Sequence, residues 1–355
     1  MTAKLKIVSP GMLASLQDKG RFGYSGFGVP RSGAIDPVSL RLGNALVGND
    51  PFETAIEFRF MGPTIKAQSG SLRVALACHV GGELIDAQSG DKTPISPWQT
   101  VTLNEGDVLK VDPMSKGATG YLAIEGGLAL DPVLDSCSTY ARAHMGGLLQ
   151  VGDILSLKQA ASVRGYERLM ADPVPLSEEP FNVIFGPQED YFAEETVQSF
   201  LMNAFKVSSD VDRMGIRLEG NALFPKPEKG SDLISDGLVA GAIQVPGNGH
   251  PIILCVDCQS VGGYPKVATI ISADLHRLGQ LTPGKEIKFK AVDLEQAGAS
   301  RQLLESKIEK SINSIHDYYG EGAVDLKALY ASNLIGGVVD AQKPGLFPGH
   351  LEDLS

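Results

Sequence analysis

The feature that most constrains this fold is how often glycine and proline interrupt the apolar segments. The chain of 355 residues contains 41 glycines and 21 prolines, and the longest apolar run, 252–256, suits a buried strand. Glycine weakens the interior of a helix and proline breaks it, so this punctuation favours short strands joined by turns. The sequence therefore predicts a mainly β fold with few helices, and its length favours two domains.

Strand patterns fall into two series. The first runs from Glu57 to Leu157 without helical periodicity, and the second begins at Phe181 and continues to Phe289. Strands spaced by roughly 8–12 residues are typical of a barrel or a sandwich. The predicted division is a barrel domain at 1–160, a linker at 161–180, a second barrel domain at 181–295, and a C-terminal helix and tail at 296–355.

The two series end in similar segments. Residues 149–157 (LQVGDILSL) and 281–289 (LTPGKEIKF) each place a glycine-containing turn before a strand. This weak repeat is consistent with a duplicated barrel. It is equally consistent with the turn-strand units that any β protein contains.

Three segments are predicted to be helical. Asp36 and Pro37 begin the first as N-cap and first helical residue, and Gly48 ends it. An apolar pattern from Phe192 to Phe205 indicates the second. The third is an amphipathic C-terminal helix, whose apolar stripe is Leu304, Ile308, Ile312, Ile315 and Tyr319.

Charge and composition exclude several classes of protein. A net charge of -11 repels phosphate backbones and anionic membranes, which argues against nucleic-acid and membrane binding. No segment approaches the roughly 18 apolar residues of a membrane span, and no signal peptide is recognisable. Four cysteines in a chain of this length do not form a disulfide framework. We expect a cytoplasmic protein with reduced thiols.

Common catalytic and metal-binding motifs are missing from the sequence. The six histidines show no H-E-x-x-H spacing, and no Walker, Rossmann or G-x-S-x-G pattern occurs. Cys255 and Cys258 form a C-x-x-C unit that we place in an apolar strand. Residues three apart in a strand face opposite sides, so we interpret both cysteines as structural and predict no metal site.

Polar residues cluster instead in glycine-rich loops. Arginine binds carboxylate or phosphate, glutamine, serine and tyrosine polarise amides, and aspartate and lysine move protons. The alternative is that the aspartates and glutamines cap turns and that arginine–aspartate pairs link the loops to each other. We predict catalytic roles for Gln244, Asp257, Lys266 and Asp274. Predicted substrate-binding residues are Gln17, Asp18, Arg21, Ser32, Asp36, Asn49, Arg213, Arg217, Gln259 and Tyr264. Arg213 and Gln244 are expected to share one pocket for a small amide.

The loops also carry a recognisable set of motifs. The sequence resembles the allophanate hydrolase subunit 2 family, also called the biotin-dependent carboxyltransferase family, over residues 8–289. The motifs are Q-D-x-G-R (17–21), G-V-P-x-S-G-A-x-D (28–36), L-V-G-N (46–49), D-R-M-G-x-R (212–217), G-A-I-Q-V-P (241–246) and G-G-Y-P-K (262–266).

The resemblance implies two cyclophilin-like β-barrels and a multi-subunit enzyme. Members of this length are similar to the C subunit of 5-oxoprolinase, which implies ATP-dependent cleavage of 5-oxo-L-proline to L-glutamate. The implied partners are the B subunit, which resembles allophanate hydrolase subunit 1, and the A subunit of the same enzyme. ATP and Mg²⁺ are implied for the complex, since phosphate needs cationic clamps and Mg²⁺ needs acids.

Two other functions stay open at this point. One is a carboxyltransferase component that moves CO₂ from carboxybiotin to a urea-like or amide acceptor, with biotin carried on another chain. The other is a regulatory partner of a kinase-inhibitor-like protein, in which the loops only contact the partner.

Overall fold

The structure, a computed structural model, describes residues 2–77, 79–159 and 166–319. Residues 1–317 form one compact unit, and a second unit begins at Tyr318. Most of the second unit, including the predicted tail, lies outside the described residues, as does the start of the predicted linker.

Twelve strands lie in the described part of the first half of the chain. They are β1 (Lys4–Ser9), β2 (Ser15–Gln17), β3 (Ala55–Arg59), β4 (Thr64–Ser69), β5 (Leu72–Ala77), β6 (Gly82–Ile85), β7 (Lys92–Ile95), β8 (Gln99–Leu103), β9 (Val108–Val111), β10 (Thr119–Ile124), β11 (Ile154–Ser156) and β12 (Glu167–Met170). The stretch interpreted as a linker thus contains β12, which pairs with β8 through Leu169 and Gln99.

The second half adds further strands and most of the helical residues. The strands are β13 (Phe181–Phe185), β14 (Phe205–Val211), β15 (Gly215–Glu219), β16 (Asp236–Gly237), β17 (Ala242–Gln244), β18 (Ile252–Leu254), β19 (Val261–Gly262), β20 (Lys266–Ile270), β21 (Glu286–Ile287), β22 (Phe289–Ala291) and β23 (Ile315–Tyr318). The α-helices are α1 (Pro37–Val47), α2 (Glu194–Met202) and α3 (Leu294–Asn313), and the 3₁₀ helices are Ser25–Phe27, Ala141–Ala143, Glu189–Tyr191 and Leu275–Gln280.

The strands form two barrel-like layers around separate cores. The first barrel is built from a sheet with the order β11-β1-β4-β9-β6-β7 and a facing sheet with the order β2-β3-β10-β5-β8-β12-β23, in which only β23 comes from the second half. Leu5, Ile65, Leu76 and Leu122 are among the side chains that these two sheets bury completely between them. In the second half, one sheet with the order β21-β14-β15-β18-β17-β20-β13-β22 surrounds a core that includes Phe200 and Ile253. The prediction of a mainly β protein with few helices is confirmed.

The boundaries of two predicted helices were wrong. The second helix, α2, ends at Met202, and Phe205 begins strand β14 because its side chain fills the second core beside Phe200 and Phe289. The third helix, α3, begins at Leu294 with a capping box on Asp293 and ends at Asn313, so Ile315 lies in a strand. The first helix matches its prediction, with Asp36 accepting from the N–H groups of Val38 and Ser39.

Hydrogen bonds join the two halves at several points. The Gln280 carboxamide accepts from the N–H groups of Ala118 and Thr119 at 3.0 and 3.2 Å and donates to Asp36 at 2.6 Å. The Ser32 N–H donates to the Val256 carbonyl at 2.9 Å. The loop between β2 and α1 is therefore held against the second half near its C-terminal end.

Two glycines let this loop cross itself. Gly20 and Gly33 have φ values of 86° and 87°, and a Cβ on Gly33 would lie 2.8 Å from the Gly20 nitrogen. Non-glycine residues pay roughly 1–2 kcal/mol for this left-handed conformation, and the contact leaves no room for a methyl group. The loop geometry therefore requires glycine at both positions.

We predict that Gly33→Ala lowers the free energy of unfolding by about 2–5 kcal/mol, since it combines left-handed strain with a backbone clash. Gly28→Ala is the matched control, because Gly28 has a φ of 78° and an added methyl group would meet nothing within 4 Å. The control should cost only about 1–2 kcal/mol. Urea unfolding of both variants measures the difference, and equal losses would contradict the clash.

Candidate functional site

Asp18 organises the loop rather than facing a ligand. Its carboxylate accepts from the Gly20 N–H at 2.7 Å, the Ser136 hydroxyl at 2.6 Å and the Cys137 N–H at 2.7 Å, and from the Ser138 hydroxyl. Three of these donors come from a segment more than 110 residues away. The four bonds use the acceptor capacity of the carboxylate and tie the loop to residues 136–138.

Gln17 and Arg21, close to Asp18 in the sequence, are buried, and each has one polar side-chain atom without a hydrogen-bond partner among the described residues. Gln17 donates to the Thr139 carbonyl at 3.3 Å, and Arg21 donates to the carbonyls of Val133 and Ser138 at 3.1 and 2.6 Å. Gln17 Oε1 and Arg21 Nη1 have no hydrogen-bond partner among the described residues. Burial lowers the pKa of the Arg21 guanidinium.

Three other predicted site residues have local structural partners. Asp36 caps α1, and Asn49 links Asn44 and Ile124 through its side-chain N–H₂ at 3.0 and 2.7 Å. Asp274 accepts from the Asn182 N–H at 2.8 Å and pairs with a guanidinium three residues along the chain. Each of these contacts stabilises an element end or a turn.

Arg213 is the centre of an ion network that joins the two halves. Its guanidinium donates to Asp257 at 2.9 and 3.1 Å, to Glu57 at 2.5 Å and to the Gly33 carbonyl at 2.6 Å. Glu57 is 1% exposed and also accepts from the Tyr121 hydroxyl at 2.6 Å. Sequence reasoning missed Glu57, whose only signal is an acid between Ile56 and Phe58 in a fully buried strand.

The network keeps Arg213 charged. Burial alone would lower the pKa of the guanidinium, but the Glu57 and Asp257 carboxylates outweigh that effect and raise it above its usual value. Burial and the nearby Glu57 carboxylate also raise the pKa of the Tyr121 phenol. A cavity of about 170 Å³ adjoins Arg213 and Asp257, but each of the three guanidinium nitrogens already donates a hydrogen bond within the protein. Arg213, Glu57 and Asp257 therefore form a buried ion network that fixes the two halves of the chain to each other, and we call it the interface lock.

Three further predicted substrate-binding residues, Arg217, Gln259 and Tyr264, are exposed. Arg217 pairs with Asp210 at 2.8 Å on the surface of β15, where salt bridges contribute little. Gln259 and Tyr264 lie in the exposed loop on either side of β19, and Tyr264 is 40% exposed. Both are accessible to a ligand or to a partner chain.

A second polar cluster lies on the second barrel, and we call it the Lys266 cluster. It consists of Gln188, Asp236, Gln244 and Lys266. The Lys266 ammonium donates to Asp236 at 2.6 Å, and the Gln188 carboxamide donates to the same carboxylate oxygen at 3.2 Å. The Lys266 side chain is 5% exposed and that of Asp236 is 49% exposed. The buried Lys266 ammonium is thus paired with the Asp236 carboxylate, which is half exposed to solvent.

Gln244 brings an unused donor to this cluster. Gln244 of β17 lies opposite Lys266 of β20, and side chains of directly opposed residues share one face of a sheet. Gln244 is 3% exposed, and its Nε2 has no hydrogen-bond partner among the described residues. A Cβ on Gly262 would lie 2.9 Å from that nitrogen, so the buried Nε2 packs closely against the Gly262 backbone.

The Lys266 cluster has the chemistry that attack on an amide requires. An ammonium and an amide N–H on one face can stabilise an oxygen that gains negative charge. The pKa of Asp236 is lowered by hydrogen bonds from Lys266, Gly237 and Gln188, so this carboxylate stays ionised and can orient water. Asp236 and Gln188 are additions to the residues expected from the sequence.

The predicted site is therefore divided. Arg213 and Asp257 belong to the interface lock, and Gln244 and Lys266 belong to the other cluster; the cavity beside Arg213 does not include Gln244. The predicted pocket shared by Arg213 and Gln244 is therefore not this cavity. Asp18, Ser32 and Gln259 line a further cavity of about 250 Å³ between the β2–α1 loop and the turn after β18.

The C-x-x-C unit does not lie in a strand as expected. Strand β18 ends at Leu254, and Cys255 to Cys258 form a turn because the Cys258 N–H donates to the Cys255 carbonyl at 3.2 Å. Both thiols are buried. Burial raises the pKa of Cys255 to about 12 and that of Cys258 to about 11. The thiolate, which is the reactive form, is therefore disfavoured.

We expect Cys255 and Cys258 to resist alkylation in the native protein at about pH 8. Because burial raises both pKa values, native labelling should be at least about 100-fold slower than labelling in urea, where thiols return to a pKa near 8.5. Peptide mapping after iodoacetamide treatment measures each site. Rapid native labelling of either cysteine would contradict the prediction.

Two features are absent from the described ranges 2–77, 79–159 and 166–319. Within them, no three His, Cys, Asp or Glu side chains are grouped so as to hold a metal ion. Also within them, no helix has the length and apolarity that a bilayer crossing requires.

Comparisons with known proteins agree on one family. The family described as "Carboxyltransferase domain, subdomain A and B" matches residues 27–291. The chain is 35% identical to the C subunit of 5-oxoprolinase from Haemophilus influenzae, and the alignment spans 84% of this chain and 94% of that protein. It is 33% identical to the C subunit of 5-oxoprolinase from Escherichia coli, over 88% and 99% of the two chains.

A solved structure supports the same assignment. Kluyveromyces lactis urea carboxylase superposes with a TM-score of 0.77 at 31% identity, over 88% of this chain. This chain spans only 29% of the urea carboxylase chain. The match agrees with a fold of two cyclophilin-like barrels followed by a helix. With a family match over most of its length and relatives above 30% identity, the chain belongs to the carboxyltransferase domain family, subdomains A and B.

Proposed function

We propose that this chain is one component of an ATP-dependent 5-oxoprolinase complex that cleaves 5-oxo-L-proline to L-glutamate. The observation that carries the proposal is the extent of the similarity to two proteins named as the C subunit of 5-oxoprolinase. The alignments cover 94% and 99% of those proteins, so this chain and its relatives are nearly coextensive. The proposed partners are the B subunit, resembling allophanate hydrolase subunit 1, and the A subunit of the same enzyme.

The Lys266 cluster is the proposed site of chemistry within this chain. A lactam carbonyl oxygen gains negative charge when its carbon is attacked, and the Lys266 ammonium and the Gln244 amide N–H are donors of the right kind to stabilise it. Asp236 would hold a water molecule or the lactam N–H. The half-exposed position of Asp236 leaves room for a substrate or for a partner subunit.

ATP and Mg²⁺ are proposed for the assembled complex, where ATP would supply the free energy that opens the lactam. No group of three or more metal-binding side chains occurs within residues 2–77, 79–159 and 166–319. A magnesium cage made by this chain alone therefore does not fit those residues. The proposal accordingly routes no step of this chain through the ion.

Reconstitution tests the proposal. The chain is combined with the A and B subunits, 5-oxo-L-proline, ATP and Mg²⁺, and glutamate release is measured. The matched control omits this chain and keeps every other component. We expect glutamate only in the full mixture. ATP consumption that does not depend on 5-oxo-L-proline, without glutamate release, would overturn the proposal.

A second candidate function is carboxyl transfer from carboxybiotin, carried on another chain, to a urea-like or amide acceptor. The observation that favours it is the TM-score of 0.77 with urea carboxylase. Incubation with a carboxylated biotin carrier and urea distinguishes the two functions. Acceptor-dependent loss of carboxybiotin would favour carboxyl transfer.

A further inference from the structure

The cavity of about 250 Å³, which we call the loop cavity, lies between residues 18–37 and the turn after β18. One wall contains Arg31 and Ser32, and the opposite wall contains Leu238, Cys258, Gln259 and Ser260. The walls come from the two halves of the chain, which the Ser32–Val256 hydrogen bond holds together. Both polar and apolar side chains line the cavity.

The side chains that line the loop cavity carry a net positive formal charge. Asp18, Lys19 and Arg31 are the charged residues among those that line the cavity. Asp18 is already saturated by donors from Gly20 and from residues 136–138. Two cations and one carboxylate therefore line the cavity, a formal charge of +1 in a chain whose net charge is -11. This local reversal of charge favours an anion.

Arg31 is held in place but keeps its donors. Its Cζ lies 4.2 Å from the centre of the Phe22 ring, a cation–π contact between two exposed side chains. Among the described residues, no carboxylate lies within salt-bridge distance of it. A guanidinium that has no carboxylate partner is suited to bidentate binding of a ligand carboxylate.

Ser32 supplies the second, independent observation. It is 1% exposed, and its hydroxyl has no hydrogen-bond partner in the part of the chain that the structure describes. Its φ is 53°, a conformation that costs a non-glycine residue about 1–2 kcal/mol. The Arg31 carbonyl accepts from the Arg21 N–H at 2.6 Å, which helps to hold this strained segment. Such strain with an unused buried donor is typical of ligand clamps.

The opposite wall suits a compact body with an amide. Leu238 and Cys258 present apolar surface, while Gln259 and Ser260 carry groups that both donate and accept hydrogen bonds. A ligand with a carboxylate at one end and an amide at the other would match both walls. Urea has no carboxylate and would leave Arg31 unused.

We infer that the loop cavity binds a small carboxylic acid that also carries an amide, with Arg31 anchoring the carboxylate and Ser32 donating to the ligand. The choice of 5-oxo-L-proline as the probe rests on the proposed function, whereas the carboxylate anchor does not. None of the four residues of the Lys266 cluster lines this cavity, but Leu238 of its wall and Gln244 of the cluster both lie within 2.9 Å of the position of a Gly262 Cβ, so the two sites adjoin. Arg31 is then a residue that selects the substrate beside the site of chemistry.

The test uses the reconstituted complex and calorimetric titration without ATP, with 5-oxo-L-proline and with 2-pyrrolidinone, the same lactam without its carboxylate. We expect 5-oxo-L-proline to bind about 10- to 100-fold more tightly than 2-pyrrolidinone. Arg31→Gln should remove that preference and Arg31→Lys should keep part of it. Arg301→Gln, on the exposed face of α3, is the matched control and should change nothing.

The outcomes separate this inference from the proposed function. If the complex releases glutamate but Arg31→Gln leaves both the affinity and the KM for 5-oxo-L-proline unchanged, the anchor is wrong and the function stands. If no glutamate forms but acetate protects Arg31 from phenylglyoxal, the anchor stands and the function is wrong. Absence of binding by the folded complex to both 5-oxo-L-proline and acetate overturns the inference.

Discussion

Replacing Lys266 with methionine is expected to reduce kcat for glutamate release by about 100-fold or more in the reconstituted complex. Removing one preorganised donor from a site of developing charge typically costs about 10²–10³ in kcat. The Lys266 side chain is buried, and its ammonium contacts Asp236 at 2.6 Å beside the unused amide of Gln244. Methionine keeps the length and the packing of the side chain but removes the charge.

The controls for Lys266→Met separate chemistry from assembly. Lys229→Met removes another lysine–aspartate pair, with Asp190 at 2.5 Å, at a site where the two side chains are 38% and 59% exposed. It should leave kcat within about twofold, since exposed pairs contribute little. Co-purification with the B subunit should be unaffected in both variants. A Lys266→Met complex with nearly wild-type kcat would exclude the cluster as the site of chemistry, and loss of activity with intact assembly would exclude a purely regulatory role.

Replacing Arg213 with methionine is expected to lower the free energy of unfolding by about 3–5 kcal/mol, because it strands a buried carboxylate. Glu57 is 1% exposed, and Arg213 is its partner across the junction at 2.5 Å. The midpoint of urea unfolding measures the effect. A raised pKa means that the charge of Arg213 stabilises the fold at every pH below its unfolded value, so the loss should persist from about pH 6 to 9.

The matched control lies four residues along the chain. Arg217→Met removes a pair with Asp210 in which both side chains are more than half exposed. That change should cost no more than about 1 kcal/mol. The pair of variants therefore tests whether Arg213 is a structural lock. If Arg213→Met is as stable as Arg217→Met, the network does not hold the two halves together.

Local features of the sequence predicted local structure well. The first helix follows directly from Asp36, Pro37 and Gly48, because capping depends on residues within a few positions of each other. The mainly β class follows from the glycine and proline punctuation. The strand at Phe181–Phe185 also matches its pattern. The prediction was wrong at Phe205 and Ile315. Packing of these two side chains against residues distant in the sequence favours a strand there, although the local apolar pattern indicates a helix.

The candidate site could be predicted only in part. Residue types and motifs identified Gln244 and Lys266 but also Asp18, Asn49 and Asp274, whose side chains stabilise loops and turns. Polar residues in glycine-rich loops have the same sequence signature whether they bind a ligand or their own backbone. Glu57 and Arg31 were missed, since one is hidden in an apolar strand and the other occupies an unspecified position of the G-V-P-x-S-G-A motif.

By itself the sequence determined the strand-rich class, the first helix and the family resemblance, all of which depend on short-range patterns. The tertiary structure decided which side chains meet: Arg213 with Glu57 across 156 positions, Asp18 with Ser136, and Gln244 opposite Lys266. Those contacts depend on strand register and on how the barrels close. A shift of one residue turns every side chain of a strand to the other face, so no local pattern could specify them.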